Sequence, residues 1–211
     1  MSIADVFIIE SLGKDDEREH RFEGQRLADL LRISGKNPKY YYFQSVKELH
    51  AIFELFKLSH YRFLHVSCHA SLTHISATND SVTYAEFARL TGGYLKLCRV
   101  FFSACEVGNE LFSTCIAAHN KGMHSIVAPA EAIYFDHAAA IWSAFYVSMF
   151  ASGSDGMTGD EIKARIRTLC TLFPVDFHVS TYRPQKDCWA HEVIKKSPLP
   201  NSGRRSKSNV A

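Results

Sequence analysis

Tyr61-Arg62-Phe63-Leu64-His65-Val66-Ser67-Cys68-His69-Ala70 and Arg99-Val100-Phe101-Phe102-Ser103-Ala104-Cys105-Glu106-Val107-Gly108 are two apolar runs, one ending on a histidine and the other on a cysteine. Their valine and aromatic content is that of β-strands. In a parallel sheet, ligands sit outside the carboxyl ends of the strands. Adjacent strands lie about 4.8 Å apart, so an imidazole and a thiol on consecutive strand ends come within reach of each other. A thiol nucleophile with an acid/base beside it is the minimum equipment of a cysteine hydrolase.

The rest of the chain fits such a sheet. Strand-like and helix-like periods alternate, which argues for a mainly parallel sheet with helices on both faces. Asp5–Glu10 reads as the first strand and Tyr40–Phe43 as the second. His20–Ile33 reads as a helix with Phe22, Leu27, Leu30 and Leu31 on one side. Ser45 with Glu48, Thr83 with Glu86 and Thr158 with Glu161 have the spacing of capping boxes, and Asn109 is a good N-cap. The polar run Thr73–Ser81 is a loop or a short hairpin. His124–Ala128 is a fifth strand stopped by Pro129, and Val175–Val179 is a candidate last strand.

At 211 residues, one α/β domain is the natural expectation, here over residues 1–194. The remaining 195–211 form a basic tail rich in Pro, Ser and Gly, expected to be disordered. A hydrophobic fraction of 46% supports a sizeable core, and a net charge of +2 gives no case for nucleic acid or a membrane surface. The opening lacks the pattern of a secretory signal. Six cysteines at irregular spacing then suggest reduced thiols in the cytoplasm. The apolar stretch Ala130–Ala151 carries Glu131, Asp136 and His137 in its first half, so it reads as a buried helix.

Among the candidate site residues, His69 is the acid/base and Cys105 the nucleophile. A helix N-terminus behind Gly108-Asn109 and the neighbouring imidazole favour the thiolate as attacking species. The backbone N–H groups of Ala70 and Cys105 are the candidates for holding an oxyanion. The set His65, Cys68, His69 and Cys105 also has the residue types of a zinc site. Strand alternation sends His65 and Cys68 to opposite faces, however, so no metal is expected. A buried, inert cysteine is the plainer reading of Cys105. No GxGxxG, Walker or GxSxG motif is present.

An apolar strand ending in His plus a small residue, followed by one ending in Ser-Ala-Cys, resembles the caspase-like cysteine peptidases. The nearest likeness is to the bacterial branch with the CHAT proteases and small stand-alone caspase-like proteins. It covers about residues 1–150, with Ala70 standing where the family usually has glycine. The resemblance implies a caspase-like three-layer αβα sandwich and an endopeptidase acting through a Cys105/His69 dyad without a cofactor. It also implies a role in antiviral defence or programmed cell death, triggered by a partner or signal. Ser103, Glu131 and Asp136 are then candidates for the substrate groove, and the two carboxylates suit a basic side chain. A protein substrate is expected, while an activating partner, a signalling nucleotide and a homo-oligomer stay open. A catalytically weak or inactive regulatory module is the alternative. Asp5-Val6-Phe7-Ile8 also resembles the opening strand of Toll/interleukin-receptor domains, another doubly wound class.

Overall fold

A computed structural model describes residues 3–153 and 156–198. Its centre is a seven-stranded sheet. β1 (Ile3–Glu10), β2 (Lys39–Tyr42), β3 (Tyr61–Ser67), β7 (Arg99–Ser103) and β8 (Ser125–Pro129) run parallel. β9 (Phe177–Arg183) returns antiparallel to β8, and β10 (Cys188–Ile194) pairs antiparallel with β9. The order across the sheet is β10-β9-β8-β7-β3-β1-β2. A small second sheet, β4 (His69–Ala70), β5 (His74–Ser76) and β6 (Ser81–Thr83), makes a hairpin extension of the polar run that follows β3.

Strand alternation divides the core between two faces. Phe7, Ile9, Leu64, Val66, Val100 and Phe102 face one way, toward α3 (Val46–Ser59), α4 (Tyr84–Leu90) and α5 (Glu110–His119). Val6, Ile8, Phe63, Phe101 and Val127 face the other, toward α2 (Glu23–Ile33), α6 (Phe135–Ala151) and α7 (Gly159–Leu172). The result is a mixed α/β, three-layer αβα sandwich. On the second face Trp142, Phe145 and Tyr146 of α6 are completely buried. Each such side chain is worth about 2 kcal/mol in water-excluded area. This burial explains why α6 is so apolar. At 17 residues it is short of a bilayer's thickness, and no described helix is long and apolar enough to cross a membrane.

The capping signals locate helix starts accurately. Thr83 and Thr158 complete both halves of their boxes, and Asn109 Oδ1 accepts from Phe112 N at 2.8 Å. Ser45 caps α3, but Glu48 returns its bond to Gln44 N instead of the cap residue. The strands before His69 and Cys105 end at Ser67 and Ser103, two residues earlier than the pattern suggests, and three other boundaries differ more. The helix expected over His20–Ile33 starts at Glu23, because His20 adopts a left-handed φ of 56° and separates α2 from α1 (Lys14–Arg18). The long helix begins only at Phe135. Before it, residues 130–134 run past the end of the sheet, tied by Ala130 N to Asp176 O and by Glu106 N to Glu131 O. The last strand is longer than expected and has a partner, β10, that the pattern did not reveal. The start of the basic tail is held: Ser197 N donates to Cys170 O at 2.9 Å. Residues 199–211 of the tail lie outside the described residues, as do 154 and 155.

Candidate active site

The register of β3 against β7 places the dyad. Ser67 pairs with Ser103, and Cys68 N continues the ladder to Ser103 O at 3.1 Å. His69 and Cys105 each stand two residues beyond that last pair. Both line one narrow cleft of about 50 Å³, with Glu23, Ser67, Cys68, Ser103, Ile133 and Phe135 among its walls. A wider groove, about 470 Å³, opens elsewhere between α3 and β6–α4 and contains no nucleophilic thiol.

Cys105 sits in a sharp turn between β7 and α5. Glu106 takes a left-handed φ of 59°, uncommon outside glycine. Gly108 then presses against the end of β8. A Cβ there would lie 2.5 Å from the carbonyl oxygens of Ala128 and Pro129, so only glycine fits. Its N–H donates to Pro129 O at 2.8 Å. The turn lifts the half-buried Cys105 to the sheet end, where its Sγ accepts from Ile133 N at 3.5 Å. No hydrogen bond joins Cys105 Sγ to the His69 ring among the described residues.

His69 is partly exposed and held by a group the sequence did not bring out. Its Nε2 lies 2.7 Å from Asp16 Oδ2. An ionised carboxylate only accepts, so this contact puts the ring proton on Nε2 and leaves Nδ1 as the basic nitrogen. Asp16 is anchored in turn by Arg21 Nη1 at 2.9 Å. Phe135 stands edge-on to the imidazole, with ring centres 5.7 Å apart. Asp16 belongs to the short α1, in a charged segment that reads as solvated surface, and only the folded chain brings it to His69.

The two backbone oxyanion candidates differ in their surroundings. Ser71 N bonds to His74 O, so alternation along the hairpin makes Ala70–Ile75 a non-hydrogen-bonded pair and turns the Ala70 N–H away from β5. The Cys105 N–H has no acceptor among the described residues.

Of the groove candidates, Ser103 lines the cleft. Glu131 and Asp136 lie off it. Glu131 receives Asp176 N at 2.8 Å and pairs with Lys196 Nζ at 2.7 Å. Asp136 is exposed, and its Oδ1 accepts from His137 N in the first turn of α6. Of the side chains with zinc-ligand chemistry, Cys68, His69 and Cys105 line the cleft, while His65 is buried beside Trp142 and Tyr146 on the other face of the sheet from Cys68. Among the described residues no group of three or more His, Cys, Asp or Glu could hold a metal ion. Burial pushes the Cys68 thiol well above the ordinary range, so it is the inert neighbour of the pair.

No model of a known protein family matches this chain, and no curated protein matches it in sequence.

Proposed function

We propose that the protein is a caspase-like cysteine endopeptidase, with Cys105 as nucleophile, His69 as acid/base and Asp16 as the residue that positions His69. The observation that carries this reading is the placement of Cys105 and His69 in one cleft at the carboxyl end of a mainly parallel sheet. The imidazole there has its second nitrogen fixed by a carboxylate. In the reaction, His69 Nδ1 takes the thiol proton as Sγ attacks the scissile carbonyl carbon. The Ala70 and Cys105 N–H groups receive the oxyanion. The C–N bond then breaks, His69 returns its proton to the leaving amine, and a thioester remains on Cys105. Water, deprotonated by His69, releases the acyl group and regenerates the thiol.

The resemblance to bacterial caspase-like proteins extends the proposal to a cytoplasmic role in antiviral defence or cell death, switched on by a partner or signal. The test is proteolysis of an unfolded protein substrate by the wild type and by Cys105→Ala, His69→Ala and the double variant. Each single variant is expected to lose turnover with its fold intact, and the double to be no worse than either. Cys68→Ala should retain activity. Turnover surviving in Cys105→Ala would overturn the mechanism.

A further inference from the structure

We propose that Glu23 is the floor of the substrate pocket beside Cys105 and receives the cationic head of a lysine or arginine on the amino side of the scissile bond, an inference that rests on the peptidase reading. Glu23 opens α2 and lines the cleft together with His69 and Cys105. Its side chain is only 2% exposed, yet neither carboxylate oxygen has a hydrogen-bond partner. Its ion-pair contact among the described residues is His65 Nε2 at 3.8 Å, beyond hydrogen-bond reach, and that nitrogen has no hydrogen bond either. His65 is itself occupied on its other nitrogen, where Nδ1 meets Tyr146 OH at 3.2 Å. No lysine or arginine is ion-paired with Glu23 among the described residues.

The contrast with the neighbouring Glu10 is informative. Glu10 is fully buried, but its oxygens receive Gly24 N at 2.7 Å, Gln25 N at 3.1 Å and Tyr40 OH at 2.8 Å. Glu10 is thus satisfied by hydrogen bonds, whereas Glu23, which lines the cleft, has no hydrogen bond and meets only His65 Nε2 at 3.8 Å among the described residues. A buried carboxylate is costly until a cation completes it. The space of about 50 Å³ is that of one or two waters, which suits a charged head and not a bulky apolar one. Ser67 and Ser103 add polar walls, and Ile133 and Phe135 give the rim an apolar surface for an aliphatic stem. An acidic side chain would instead meet like charge.

The test uses peptidyl acyloxymethyl ketones identical except for a terminal Lys, Leu or Asp, scored by mass as adducts on Cys105. Iodoacetamide serves as the measure of thiol reactivity without recognition. The Lys probe is expected to label the wild type at least tenfold faster than the Leu probe, with Asp slowest. In Glu23→Gln the Lys-to-Leu ratio should fall to within twofold of one. Equal Lys and Leu rates on a Cys105 that iodoacetamide still singles out would overturn the role of Glu23 alone, as would a Lys preference surviving in Glu23→Gln. A Cys105 that iodoacetamide does not single out would overturn the dyad and this inference together. The wild-type ratios decide the matter even where the variant fails to fold, which circular dichroism reports.

Discussion

His69 and Cys105 were legible because each closely follows an apolar strand, and neighbouring parallel strands bring such ends together. Asp16 and Glu23 were not. They sit in a charged stretch whose pattern is that of a solvated surface, and Asp16 is 53 residues from the histidine it holds. Their position depends on how α1 and α2 return over the sheet, which local pattern does not encode. Asp16→Asn keeps the size of the side chain but offers an amide where His69 Nε2–H needs an acceptor, which frees the ring to turn or change tautomer. Peptidase turnover should fall on the order of 10²-fold with little change in KM, as expected for a group that orients the base. Unchanged kcat would make the Asp16 contact a surface ion pair. Burial ranks the remaining thiols: Cys98 is pushed up to about 12 and Cys170 to about 11, so both should alkylate far more slowly than the exposed Cys188 at neutral pH.

Helix starts were the best-read elements, because a capping side chain announces itself at fixed spacing. Thr158→Ala removes a complete box and should cost about 1 kcal/mol of stability, measured by denaturant unfolding. Gly108→Ala should be more damaging to the site. Its Cβ would collide with two carbonyls of the β8 end, which cannot yield as a flexible side chain would. Loss of Cys105 reactivity without global unfolding is expected there, and a fully reactive variant would show that the turn has room to spare. Strand β10 escaped notice because it is an edge strand, and of its residues only Ile194 is buried. An edge strand has no second neighbour to demand apolar alternation, so His191 and Glu192 are tolerated and the pattern blurs. The delayed start of α6 has a similar cause, since residues 130–134 are fixed by long-range backbone bonds and not by their own periodicity.

At the scale of the whole molecule, the alternating strand and helix periods sufficed to give a mainly parallel sheet covered on both faces. They did not give the antiparallel return through β9 and β10, which close that edge of the sheet. The junction of β1, β2, β3 and α2 is held by a buried carboxyl. Desolvation raises Glu10 from 4.5 to about 7, against the lowering effect of its bonds from Gly24, Tyr40 and Gln25. A carboxyl whose folded value is raised binds its proton more tightly when folded. Its contribution is therefore present in full below about pH 4.5 and is lost as pH rises through about 7. The stability difference between wild type and Glu10→Gln should accordingly shift by about 3 kcal/mol against the wild type from pH 4.5 to 8, read from urea unfolding. A pH-independent difference would mean that Glu10 ionises alike in both states.

The pairing of thiol and imidazole is tested most directly by the alkylation rate of Cys105 near neutral pH, mapped by mass spectrometry in the wild type and in His69→Ala. Exposed Cys188 in the same molecules is the internal reference. If His69 activates Cys105, the wild-type Cys105 should react faster than Cys188, and His69→Ala should slow it at least tenfold while leaving Cys188 unchanged. Equal Cys105 rates in the two proteins would contradict the dyad.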